Sequence, residues 1–249
     1  MLSWKKLLLV AFLGYFLFLL VRLPAAWVAQ HIASTLPQNV VELVEPKGTV
    51  WSGGAGLRSH LFGKEVFEVV WRIRPASLVL GTVSLNLQLT GVGTNLSGQV
   101  DLSFGELSVY ELSGIISAAV INTGLKSAGV KVASPLGLSR LGLGFDVNES
   151  QFLSATGKMM LAKGDIQLMS NRAKYVLPDM LGQLSFDEGQ IKLVSAPQSN
   201  PDQPVAEVRL KGDGQADVQV YTYLLEVTGE SGPVPNPTET ILEASLGVW

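Results

Sequence analysis

A serine hydrolase needs a base beside its nucleophile, most often an imidazole. This 249-residue chain has two histidines, His31 and His60, and no cysteine. No G-x-S-x-G elbow occurs anywhere in the sequence. Cysteine nucleophiles, thiolate zinc sites and disulfides are excluded outright. The glycine-rich run at 48–56, GTVWSGGAG, lacks the G-K-[ST] ending of a phosphate-cradling loop. Gly91-Val92-Gly93 lacks the third glycine of a dinucleotide fingerprint, and both stretches read as hairpin turns. Asp202, Asp213 and Asp217 miss the one-three-five spacing of a calcium loop, and Asp187-Glu188 marks a turn. These residues predict no catalytic centre, no metal and no cofactor, so the chain is expected to be no enzyme and to act by contact.

The elements that would position a contact surface follow from composition. Only 16% of residues are charged, against roughly 25% in an ordinary soluble domain. Net charge is −3, and three of the 18 basic residues (Lys5, Lys6 and Arg22) lie at the N-terminus, so the remainder is more acidic still. Binding nucleic acid requires a positive field, which excludes it as a partner.

Residues 7–21, LLLVAFLGYFLFLLV, carry no charge. As helix they would extend about 22 Å, and continuing through Trp27 to Ala29 gives a full span of the roughly 30 Å hydrocarbon core. Leu7, Phe12, Tyr15, Phe18 and Val21 would face lipid, with Trp27 in the interfacial aromatic belt. A cleaved signal peptide is the rival reading, but no small-x-small cleavage site follows. Lys5 and Lys6 precede the span, which predicts a cytoplasmic N-terminus and an exported body. The expected organisation is a cytoplasmic tip and membrane anchor at 1–30, a linker at 31–46 and a β domain at 47–249.

Beyond the anchor, period two dominates. GTVSLNLQLTG at 81–91 sets Leu85, Leu87 and Leu89 against Asn86, Gln88 and Thr90. Residues 63–75 place Phe67, Val69, Trp71 and Ile73 on one face, and 95–104 add Leu96, Val100, Leu102 and Phe104. Further strands are expected at 141–147, 157–161, 165–169, 182–186, 190–194, 206–211 and 215–225. Turns at hairpin spacing make this a mainly β protein, a curved, half-barrel-like antiparallel meander with one or two short helices. Phe67, Trp71, Leu85, Leu87, Leu89, Leu102 and Phe104 would line its apolar face. Residues 106–125 predict a helix from the spacing of Leu112, Ile115, Ile116 and Ala119, and 177–181 a short helix or turn. Asn236-Pro237-Thr238-Glu239 has the cap chemistry of a C-terminal helix ending at Gly247.

The order of features is informative. A basic tip and apolar run lead to Leu36-Pro37, then to the string Lys47-Gly48-Thr49-Val50-Trp51-Ser52-Gly53-Gly54-Ala55. A strand ending in Trp71-Arg72-Ile73-Arg74-Pro75 follows, with Leu78-Val79-Leu80-Gly81 behind it. This resembles the type II secretion system protein N family. The resemblance implies a single-pass protein of a Gram-negative inner membrane with a periplasmic β domain, an accessory part of the secretion apparatus whose partners are that membrane and other inner-membrane secretion proteins. It supplies no catalytic residues. Two modes of action follow: an assembly module docking other components through a sheet edge or the helix, or a tethered lipid-binding module holding an acyl chain on the apolar face.

Overall fold

Alternating side chains on a backbone punctuated by glycine turns pair most simply with their immediate neighbours, and this dictates the architecture. The computed structural model describes residues 4–26, 41–59, 66–126, 129–169, 174–230, 232 and 235–247. Among them a thirteen-stranded antiparallel sheet contains β1 (Val41–Gly48), β2 (Ser52–Ser59), β3 (Val66–Ile73), β4 (Thr82–Gly91), β5 (Thr94–Ser103) and β6 (Glu106–Ile116). It continues with β8 (Leu136–Asp146), β9 (Gln151–Leu161), β12 (Met180–Asp187), β13 (Gln190–Pro197), β14 (Ala206–Leu210), β15 (Gln215–Tyr221) and β16 (Thr240–Gly247). Three short strands leave this order, β7 (Val130–Val132), β10 (Gly164–Leu168) and β11 (Lys174–Leu177), and pair with one another as β11-β10-β7. The large sheet is a meander in every other respect. It is not closed into a barrel, since β1 and β16 remain its two edges.

One end of the sheet is made by the turns at 49–51, 74–81, 104–105, 147–150, 188–189 and 211–214; it is called the tip end below. The opposite end carries the three-stranded sheet and two helices, α3 (Ala118–Gly124) and α4 (Tyr223–Val227); α2 (Pro75–Leu78) lies at the tip end. Two apolar clusters hold the fold. Leu138, Leu141, Ala155, Leu184 and Ile191 are buried along the sheet, with Leu96, Leu112, Met159 and Leu193 packed beside them. Leu177, Met180 and Val205 form a second cluster with Ile166, Tyr223, Leu224 and Val227, which joins the small sheet and α4 to the large one.

Leu138 and Leu141 are both buried although their odd spacing would put them on opposite faces of a regular strand. A register shift between Ser139 and Gly142, with Arg140 at a φ of +48°, absorbs the extra residue. The neighbouring strand does the same at Glu111, whose φ is +53°, so that Val109 and Leu112 both pair on the apolar side. Aligned bulges of this kind bend and twist a sheet locally.

Several expectations are corrected. Residues 106–116 are strand β6, not helix, and only 118–124 are helical, capped by the Ser117 hydroxyl accepting from the Val120 amide. The C-terminal helix is absent: the Pro237 and Glu239 carbonyls accept from the Tyr223 and Thr222 amides, and β-branched Thr240 and Ile241 continue into β16. Residues 177–181 are the end of β11 and the start of β12 rather than a helix or turn, and the strand expected to reach 225 ends at Tyr221. Among the described residues, three short helical elements stand in the element order after the N-terminal helix.

The expected 23-residue span is also not found. Helix α1 runs Trp4–Val21 and closes with the Arg22 amide donating to Phe18 and Leu19; Pro24 then pairs with Thr49 of the sheet. Among the described residues no helix is long and apolar enough to cross a membrane. Residues 41–46 of the expected linker are strand β1, while Trp27, His31 and His60 lie outside the described residues.

Candidate interaction surfaces

The string GTVWSGGA forms a clamp. Gly48, at a φ of +88°, turns β1 into β2, and the Thr49 amide donates to the Ser52 carbonyl at 2.9 Å. Gly53 pairs with Trp71 of β3. A Cβ on Gly53 would lie 2.5 Å from the Lys47 carbonyl oxygen and 2.7 Å from Trp71 Cζ2, so only glycine leaves room for the indole against the turn. Trp71 Nε1 donates to the Val50 carbonyl at 3.0 Å, and the Val50 amide donates to the Leu23 carbonyl at 3.0 Å. Trp71 thus braces the turn that holds the end of α1. On α1 itself Phe12, Tyr15, Phe18 and Val21 are exposed at 71%, 62%, 56% and 62%, so the protein does not cover them. Leu7 lies in the same helix.

The apolar face is continuous by register. Ile73, Leu85, Val100, Val109, Leu143 and Ala155 lie opposite one another in successive strands, and the row resumes as Leu184, Leu193, Val208, Val218 and Ala244. Its cover is uneven. Leu184 is 7% exposed and Phe67 1%, whereas Leu85, Leu87, Leu89 and Trp71 are half-buried and Leu102 is 43% exposed. Phe104 lies outside the row, in the β5–β6 turn, where it is 92% exposed. Surface recesses lie instead on the polar face. One runs over Gly54, Gly56, Glu68 and Val70, another over Glu111, Arg140, Lys158 and Gln183.

The two edges differ. Edge strand β1 carries Glu42, Glu45, Pro46 and Lys47, a register shift after Val44 and a φ of +49° at Glu45. Charge, proline and a bulge are the devices that keep an edge from pairing. Edge strand β16, TILEASLG, has one charge and no proline, and Ile241 and Leu242 are exposed at 44% and 55%. Its one register shift sits at its first residues. Among the described residues no group of three His, Asp or Glu side chains could hold a metal ion.

A family model described as type II secretion system (T2SS), protein N, matches residues 39–235. The chain belongs to the type II secretion system protein N family. A protein of Aeromonas hydrophila named type II secretion system protein N is 37% identical over 93 residues, a match covering 37% of this chain and 34% of that relative. No solved structure matches. Membership supports a component of the type II protein-secretion machinery. The matched region holds the clamp and every strand from β1 to β15.

This member of the protein N family ties the strands next to its open edge together with charge. The Glu207 side chain is 10% exposed and meets Arg209 Nε at 2.7 Å and Lys192 Nζ at 3.1 Å. Asp217 takes a hydrogen bond from the Ser245 hydroxyl of β16 and an ion pair from Lys211 at 3.0 Å. Burial pushes the Glu207 carboxyl up, but hydrogen bonds from Arg209 and Lys192 outweigh it and hold the group below its ordinary value of 4.5. A carboxylate held low in the folded state contributes stability above that ordinary value, and the contribution fades as pH falls through the folded value. Replacing Glu207 with Gln leaves two cations without their carboxylate and costs about 1–3 kcal/mol near neutral pH. Urea unfolding at pH 7 and at pH 3 checks this: the gap between parent and variant narrows in acid. Sequence reading missed this ladder, although alternation in β14 did set Glu207 and Arg209 on one face.

Proposed function

We propose that the chain is an accessory component of type II secretion, held at the inner membrane by its N-terminal segment. Its sheet lies on the periplasmic side and serves as an assembly module that receives a partner strand on β16. The observation that carries the reading is the asymmetry of the sheet edges, β1 blunted and β16 open. An unpaired edge offers a row of backbone donors and acceptors, and adding a strand satisfies them. The basic Lys5 and Lys6 before an uncharged run, and the apolar side chains that α1 leaves uncovered, support the tether and its orientation. Other inner-membrane secretion proteins are the partners this arrangement suits.

A photoreactive amino acid at Glu243 of β16, in membranes of cells that make the whole apparatus, should give adducts with other secretion subunits. The same probe at Glu42 of β1 should give none, and adducts at Glu243 should vanish when the other subunits are deleted. Equal adducts at both positions, or none at Glu243, would sink the edge reading.

A second reading, lipid binding on the apolar face, draws on one observation: over β3 to β5 the row of Leu85, Leu87 and Leu89 is only half-buried. Labelled lipid captured at Leu87, with no protein adduct at Glu243, would favour it.

A further inference from the structure

Three successive turns of the tip end carry apolar side chains where turns are ordinarily polar. Val79 and Leu80, between α2 and β4, are 88% and 82% exposed, and Phe104, between β5 and β6, is 92% exposed. No other large apolar side chain among the described residues is as open to solvent. Val147, in the β8–β9 turn, is 54% exposed. These turns form one patch. The Phe104 ring lies over Gly81, where a Cβ would be 2.8 Å from it, and the Val147 amide donates to the Gly105 carbonyl at 2.7 Å.

Phe104 also has a φ of +24°, a backbone region that bulky residues avoid and that glycine or asparagine fills in tight hairpins. Folding alone would be better served by a small polar residue there. Of the more distant tips, one is acidic, with Asp187-Glu188, and the other carries Lys211 beside Asp213, while the Val147 turn itself holds the exposed Glu149. Among the described residues at the opposite end of the sheet, the most exposed large apolar side chains, Val92 and Met169, reach only 59%.

The patch lies at the end of the sheet that α1 joins. The helix meets the sheet at this same end, through the Val50–Leu23 hydrogen bond and the Pro24–Thr49 pairing. We propose that Val79, Leu80, Phe104 and Val147 seat in the surface of the bilayer that receives α1, so that these apolar side chains dip among the headgroups while the acidic Asp187-Glu188 tip stays in water. The inference rests on the tethering proposed above. It also fits the shortness of α1, whose 18 residues extend about 27 Å against a roughly 30 Å hydrocarbon core. Drawing the tip end into the headgroups lets a short helix sit without exposing its ends. Arg74, exposed at the start of the first of these turns, places a cation where lipid phosphates would lie.

The absence of native cysteine makes the test direct. The full chain is reconstituted into vesicles of phosphatidylethanolamine and phosphatidylglycerol carrying a spin-labelled lipid just below the headgroup. An environment-sensitive fluorophore is placed in turn at Phe104→Cys, Val79→Cys, Glu188→Cys and Phe12→Cys. The expected result is blue-shifted, largely quenched emission at Phe104→Cys and Val79→Cys, with water-like, unquenched emission at Glu188→Cys. Quenching at Phe12→Cys with both tip probes in water overturns the seating and leaves the tether intact. Water-like emission at Phe12→Cys as well overturns the tether and the seating together. Blue-shifted but unquenched tip probes show cover by protein, and quenching at Glu188→Cys equal to the tips shows an undirected end; either overturns the proposal.

Discussion

Leu184→Asp leaves the chain unable to form its sheet. Leu184 is 7% exposed, pairs with Leu193 of β13, and sits among Leu138, Leu141, Ala155 and Ile191. Truncating such a leucine already costs about 2–5 kcal/mol, and an unpaired carboxyl in its place adds a desolvation penalty of about 2 kcal/mol or more. The sum is on the order of the whole stability of a domain, about 5–15 kcal/mol. Leu87→Asp, on the same face but over the half-buried β3–β5 region, folds and loses only about 1–2 kcal/mol, because water reaches the carboxyl. Protease resistance of the sheet and its circular dichroism separate the two variants. Equal losses would mean that the apolar face is sealed along its whole length.

Gly53→Ala lowers stability by about 3 kcal/mol, although it adds a single methyl group. The new carbon would overlap the Lys47 carbonyl oxygen and the Trp71 ring, so the turn must open and the Trp71–Val50 hydrogen bond must break. Gly137→Ala in β8 is the matched control. Its Cβ would meet nothing closer than 3.6 Å, so it is expected to be near neutral. Urea midpoints followed by tryptophan emission measure both. The emission of the folded Gly53→Ala protein should also shift to the red, because the indole loses its seat over the turn. A neutral Gly53→Ala would mean that the clamp is a loose turn and not a brace.

The strands were legible where alternation runs unbroken. Leu85, Leu87 and Leu89 announced β4 and its inward face, and the register pairs them with Ile73, Trp71 and Val69 of β3. Helical spacing at 106–125 came from irregular register: shifts on either side of Leu112 break period two, so Leu112, Ile115 and Ile116 imitate a helix while remaining in one strand, and only Ala119 lies in α3. The residues at Asn236-Pro237 form a turn and not a helix start, because their carbonyls and that of Glu239 are taken by Thr222 and Tyr223. Phe104 continued the period of Leu102 and so was assigned to the apolar face, yet the hairpin turns one residue earlier.

The surfaces were harder to read than the strands. Alternation reports which face a side chain takes and is silent about which strand has only one neighbour, so the open edge at β16 could not be read from it. The glycine string was visible as a motif, but its purpose depends on Trp71, eighteen residues after Gly53. Glu207 and Lys192 likewise meet only once β13 and β14 are paired.

The junction between α1 and the sheet has almost no slack: Leu23, two residues past the helix, is already hydrogen-bonded to Val50. A body hung on a long flexible leader samples a hemisphere of positions, whereas one bolted to its stalk keeps a fixed height and a narrow range of tilts. With α1 in a bilayer, β16 would sweep a thin layer above the lipid as the molecule diffuses. Encounters with a partner in the same membrane then become a search in two dimensions at matched elevation, which raises effective concentration without any added contact. Lengthening the hinge between Val21 and Pro24 with flexible residues would dilute that advantage while leaving every surface of the sheet unchanged.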